Sequence, residues 1–256
     1  MKTLTACVVA ALAVSACASA YAADANQAMV MRDFTDTVAP AQQQAYEAGL
    51  KAYNQCLREH HVKFRESTVT HETGNDYMYS TDVGPLTWAD VDTLDAEAKS
   101  CDATWRAQGN PHLKSETSVF IVTRPGFSRM PKDMTGYALI DVIHFTLKPG
   151  MAAQKAFTDA VKEIYAAENK ANWPEYSTTG RIDAGGPGAP DYELDIFYKN
   201  WASLGPEPNP PLWKMVASVY GQQKADDLRG ALNGAIASTE EHVDRLDPGL
   251  SYIPGK

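Results

Sequence analysis

The sequence lacks nearly every short motif by which an enzyme class is recognised. HExxH, GxSxG, the P-loop and GxGxxG are all missing, so zinc proteases, serine hydrolases and nucleotide-dependent enzymes have no signature here. There is no CxxC and no CxxCH, which leaves thiol redox catalysis and c-type haem without support. Lys and Arg are few, 23 against 32 Asp and Glu for a net charge of −9, and they are not clustered. A nucleic-acid partner is excluded on that ground, because phosphate binding needs concentrated positive charge. Past the first residues, no apolar run approaches the ~20 residues that a membrane span requires. What remains is an acidic chain of ordinary globular composition, 44% hydrophobic, with its charge dispersed over a solvated surface.

The N-terminus reads as a targeting segment. Lys2 supplies a positive start, Leu4 to Val14 is apolar but short, and Ala20-Tyr21-Ala22 has the small-x-small form of a signal-peptidase site. The expectation is a signal peptide over 1–22 and a periplasmic or secreted protein. The alternative is a lipoprotein. Val14-Ser15-Ala16-Cys17 resembles a lipobox, with Val where Leu is usual, and Cys17 would then carry a lipid anchor.

Of the four cysteines, Cys7 lies in that segment and Cys17 at its edge, which leaves Cys56 and Cys101 in the body. An even pair in an exported chain predicts a disulfide.

The rest of the chain is written twice. Pro125-Gly126-Phe127-Ser128 and Pro131 recur as Pro248-Gly249-Leu250-Ser251 and Pro254. Phe34-Thr35 returns as Phe145-Thr146, Ser67-Thr68 as Ser177-Thr178, and Trp88-Ala89 as Trp201-Ala202. Each half reads as strand, helix, strand, strand, helix, strand. In the first half these are 28–35, 42–60, 62–70, 77–81, 92–108 and 118–124. In the second they are 139–147, 151–171, 175–182, 192–198, 213–239 and a short strand before Pro248. The fold class is therefore α+β: two tandem ferredoxin-like β-α-β-β-α-β modules, 23–134 and 135–256. Trp88 and Trp201, paired by the repeat, are expected to anchor the core.

A tandem of two such modules resembles the dimeric α+β barrel superfamily, fused into one chain as an intramolecular barrel. The resemblance covers nearly all of the chain after the targeting segment and rests on element order. It implies two sheets face to face, helices outside and a ligand between the sheets. That superfamily includes cofactor-free monooxygenases and haem enzymes such as chlorite dismutases, so fold alone does not choose a reaction.

Inward strand residues are the candidates for chemistry. His144 interrupts the apolar strand Asp141-Val142-Ile143-His144-Phe145, on the face of Val142 and Thr146. The spacing of the Phe34 and Phe145 echo pairs it with Asp33, as a base and its orienter. Glu66, Thr178 and Tyr192 are candidate ligand-binding residues on neighbouring strands. His71-Glu72 reads as a solvated hairpin. No metal site is expected, since Glu59, His60 and His61 point in different directions from a helix end. The expected role is to bind or transform a small apolar molecule, with the cofactor left unknown. One alternative is a haem enzyme with His144 as ligand. Another is a non-catalytic envelope protein with a packed barrel.

Overall fold

The computed structural model describes residues 28–255, and residues 1–22, expected to be a signal peptide, lie outside them with Cys7 and Cys17. The first half runs β1 (Met29–Val38), α1 (Gln43–Glu59), β2 (Glu66–His71), β3 (Met78–Leu86), α2 (Trp88–Ala98), α3 (Asp102–Gln108), β4 (Leu113–Thr123) and the short β5 (Ser128–Arg129). The second runs β6 (Leu139–Leu147), α4 (Met151–Ala171), β7 (Ser177–Asp183), β8 (Tyr192–Tyr198), α5 (Trp201–Leu204), α6 (Leu212–Tyr220), α7 (Gln222–Ala235) and β9 (Ile236–Leu246).

Eight of the strands form one sheet in the order β4-β1-β3-β2-β9-β6-β8-β7, and β7 pairs back onto β4 to close a barrel. Every pairing is antiparallel. Closure removes the open edges that an eight-stranded sheet would otherwise expose.

Strand alternation sends one set of side chains into the barrel and the other onto the helices. On the first half, Val30, Val83 and Val122 meet Leu94 of α2, while Val38 and Tyr79 meet Tyr46 and Leu50 of α1. On the second, Leu147 and Tyr192 meet Phe157, Val161 and Tyr165 of α4. The α4 stripe Phe157, Ala160, Val161, Ile164, Tyr165 and Ala167 is buried at helical spacing.

Cys56 near the end of α1 is bonded to Cys101, with Cα atoms 5.8 Å apart, as the cysteine count predicts. Cys101 sits on a 3-10 turn, Lys99–Cys101, that separates α2 from α3, so the expected helix over 92–108 is two helices. It also starts earlier, at Trp88, because Thr87 and Asp90 cap each other's backbone there.

The expected helix over 213–239 also divides. Gly221 adopts φ 88°, which ends α6, and residues 236–239 belong to β9. Leu147 pairs with Ile236 and Thr146 with Ser238, so ladder hydrogen bonds outweigh local helical preference. Trp88 and Trp201 are not core anchors. Each opens a helix just after its capping residue and is about half exposed, at 52% and 45%. Trp88 covers Phe120 from outside, and Trp201 lies over the Arg245 guanidinium.

Candidate functional site

The barrel encloses a cavity of about 520 Å³. Its wall carries Asp33 and Thr35 from β1, His71 from β2, Ser80 and Asp82 from β3, and Val142 and His144 from β6. Glu193 and Asp195 of β8 and Glu240, His242 and Asp244 of β9 add to the polar lining, with Asn75, Thr117 and Glu241. Among the described residues, neither Lys nor Arg is part of the wall.

His144 faces this space, as its strand position predicts, and Phe145 beside it packs outward on Phe157. Its Nε2 donates to Glu193 Oε2 at 2.8 Å, across the β6–β8 ladder where the two residues are directly opposed. Burial alone would discharge this imidazole. The Glu193 hydrogen bond, with the charges of Glu193, Glu240 and Asp244, outweighs it and raises the His144 pKa.

Asp33 also lines the cavity, but its cross-strand partner is Asp82, and it accepts a hydrogen bond from the Thr35 hydroxyl at 3.0 Å. Burial, then the neighbouring Asp82 and Glu193, raise the Asp33 pKa well above the carboxylate range. Asp195 is raised in the same way, by burial first and then by Glu193, Asp82, Asp244 and Asp33. Burial, with Glu193 and Asp244, brings Asp82 to about 7 against the pull of Arg65. Carboxyl groups crowded in this way hold protons that the same groups would shed in water.

Two proposed ligand contacts lie elsewhere. Glu66 points to the helix side, into a cavity of about 400 Å³ between the first-half helices and the sheet, which Arg32, Tyr53 and Leu94 also line. Tyr192 is buried against Phe157, with ring centroids 4.6 Å apart. The alternation that carries Glu193 and Asp195 inward carries Tyr192 outward. Thr178 is opposite Asp195 on the ladder and has its hydroxyl 3.5 Å from that of Thr123.

His71 is not in a solvated hairpin. It is the last residue of β2, is buried, and stacks on His242 with ring centroids 4.3 Å apart and 15° between planes. Burial, together with His242 and His144, lowers the His71 pKa against the pull of Asp244. Glu72 beyond it forms an ion pair with Arg245 at 2.7 Å.

His71, Asp82, Glu193, Asp195, His242 and Asp244 were not legible as site residues. Alternating Glu193, Asp195 and Glu240, His242, Asp244 were the available signal. An acidic i, i+2 pattern on a strand ordinarily marks the solvated face, and only barrel closure turns that face inward. Cys56, His60 and Cys101 also cluster, but the two sulfurs are consumed by their bond.

A haem suits this cavity poorly. It would bring an apolar macrocycle and two propionates into a space walled by carboxyl groups, with no Lys or Arg to receive them.

No protein-family model matches the sequence, and no curated protein is significantly similar to it. Solved structures do share its architecture. A proposed monooxygenase from Lactobacillus acidophilus is 14% identical, with a TM-score of 0.51 over 90% of this chain and 98% of its own. An anthrone oxidase-like protein is 11% identical, with a TM-score of 0.54 over 91% and 96%. A chlorite dismutase variant from Candidatus Nitrospira defluvii is 12% identical, with a TM-score of 0.50 over 86% and 92%. The likeness is one of fold: this chain is a closed α+β barrel of the dimeric α+β barrel kind.

Proposed function

We propose that this protein binds and transforms a small polar molecule inside the barrel, and that the molecule is cationic or rich in hydrogen-bond donors. The observation that carries this reading is the wall of the cavity: Asp33, Asp82, Glu193, Asp195 and Asp244 face it, and no basic side chain but histidine does. Carboxyl groups pressed together out of water are relieved by a positive guest, whereas an apolar guest would leave them crowded and unpaired. The lining thus favours a cation over the apolar ligand expected from the sequence. An open space of this size also weighs against a solidly packed, non-catalytic barrel.

His144 is the residue placed to move a proton. Glu193 accepts from its Nε2 and so orients the ring, which leaves Nδ1 as the second exchangeable site. Asp33 is a further proton-holding group of the same chamber rather than the orienter of His144.

The same reading includes export and duplication. A disulfide between Cys56 and Cys101 suits an oxidising compartment. The halves 23–134 and 135–256 are read as two copies of one module, and their strands run β4-β1-β3-β2 and β9-β6-β8-β7 in matching order. Trp88 and Trp201 are 201 − 88 = 113 apart, and Pro125 and Pro248 are 248 − 125 = 123 apart. Those spacings carry Ser80 to Glu193 and Thr117 to Glu240, the two ladder neighbours of His144. Their common neighbour in the first half is Thr35, so Thr35 rather than Asp33 is the counterpart of His144.

The test is a thermal-shift comparison of organic amines, neutral polar compounds, carboxylates and apolar aromatics. Amines should raise Tm by several degrees, and Glu193→Gln should weaken their binding roughly tenfold or more, the worth of one charged hydrogen bond. Stabilisation by apolar or anionic compounds, with amines inert, would overturn the proposal.

A further inference from the structure

We propose that His71, His242 and Asp244 form a binding site for a divalent first-row transition-metal ion, at the seam where β2 meets β9. The inference rests on the reading of the barrel interior as the ligand site and specifies one occupant of it. One donor atom from each residue lies within 4.8 Å of the others. Asp244 Oδ1 is 3.4 Å from His242 Nε2 and 3.7 Å from His71 Nε2.

These separations are too long for the contact they resemble. A charged imidazole–carboxylate hydrogen bond closes to about 2.7–2.9 Å. Here Asp244 Oδ1 is buried with no hydrogen-bond partner at all, on a side chain only 4% exposed. Leaving such an oxygen unpaired is costly, and both histidines stand close by without satisfying it. Donors held about 2.1 Å from a tetrahedral ion, in contrast, lie about 3.4 Å from one another. The spacing suits an ion among the three groups better than a proton between two of them, and binding turns one imidazole out of the present stack, because ring planes only 15° apart do not both contain a single ion.

The other seam of the barrel shows that the fold does not need this chemistry. Where β4 meets β7, Ile121 is opposed to Ile182, as Asp244 is to His71 across β9 and β2. Ile121 and Val119 stand 123 residues before Asp244 and His242, the spacing of the proline echoes. Apolar side chains close one seam, so the three polar groups at the other need an explanation beyond packing.

Two imidazoles and one carboxylate are a donor set for Zn(II), Fe(II), Co(II) and their neighbours, and three protein ligands leave coordination positions open. Those positions face the same cavity as His144 and Glu193. His242, with its side chain 15% exposed, is the member an entering ion can reach.

The experiment is a titration of the intact, disulfide-bonded, chelator-treated protein with Co(II), read by visible ligand-field absorption. Saturation by a single ion per chain is expected. His242→Ala and Asp244→Asn should weaken it beyond the roughly 10–100-fold that loss of an outer-shell partner costs. The double change His71→Ile with Asp244→Ile copies the apolar seam, so it should keep the wild-type circular dichroism and lose cobalt altogether. Cobalt binding untouched by these changes, or none in the folded wild type, overturns the site. If wild-type protein takes no cobalt but is still stabilised by organic amines, the metal site fails alone. If neither binds, the reading of the interior fails with it.

Discussion

Buried carboxyl groups distinguish this chain more than any motif, and they lie on both faces of the sheet. Inside the barrel they are crowded together, whereas on the helix side burial is the first cause of each shift, with Glu116 beside Asp36 and Glu175 near Glu168. Asp36 accepts from the Tyr46 hydroxyl at 2.7 Å, with burial bringing its pKa to about 7 despite that bond. Burial likewise brings Glu66 and Glu168 to about 7. The sign of the consequence follows from linkage. Each group keeps a proton in the folded state that the unfolded chain releases above about pH 4, so its stabilising share is present in acid and is lost as pH rises through about 7. Glu66→Gln removes the ionisable group while keeping its shape. Thermal unfolding should show Glu66→Gln more stable than wild type at pH 8, by at most roughly 3 kcal/mol, and little changed at pH 4.5. An equal effect at both values would mean that Glu66 does not titrate on unfolding.

Helices are fastened to one another differently in the two halves. In the first, α1 and α3 approach so closely that a Cβ on Gly49 would stand 2.1 Å from the Gln108 carbonyl oxygen, and the Cys56–Cys101 bond holds the same region. In the second, Ala167 of α4 is buried within the apolar cluster of Met215, Val216 and Leu228, with no covalent link. The disulfide closes a loop 45 residues long, worth about 4 kcal/mol in the chain-entropy model. Replacing both cysteines by Ala should therefore lower Tm by roughly 10 °C in calorimetry. Far-UV circular dichroism should stay unchanged, because Leu57, Val62 and Tyr252 still close that core. A pair of substitutions that abolished folding would show the bond to be a condition of the fold.

At the scale of the whole molecule, the barrel is two four-stranded sheets joined along two short seams. β1 is laddered to β4 from Met29 to Val38, and β6 to β9 from Leu139 to Leu147. At the seams, β2 meets β9 only from Val69 to His71, and β4 meets β7 only from Phe120 to Val122. The C-terminal segment strengthens the first seam, with Tyr252 bridging to Glu66 and Asn54 donating to the Leu250 carbonyl at 2.6 Å. Few hydrogen bonds per seam make these the places where the barrel opens below the global unfolding threshold. Hydrogen exchange should find seam amides of β7 and β4 less protected than the central amides of β1 and β6. Uniform protection around the barrel would mean that it opens only as one unit.

Much of the architecture was legible because it depends on local periodicity. The stripes of α1 and α4, the bounds of β6 and β8 and the pairing of two lone cysteines all follow from side-chain spacing and count, which tertiary context reinforces. Errors fell where long-range pairing competed with local preference, as at residues 236–239, or where a cap set the boundary, as at Trp88. The inward turn of His144 was also readable, from one polar residue on an apolar strand. The site around it was not. Glu193, Asp195, His242 and Asp244 alternate with outward residues just as a solvated strand face does. His71 precedes a Glu and a turn, so it reads as surface. Sequence alone determined that these residues share one face of their strands. Whether that face meets water or other strands depends on closure of the sheet, and closure rests on β4–β7 and β2–β9 contacts between residues far apart in the chain. Tertiary structure therefore decided that the most acidic face of this protein is its interior.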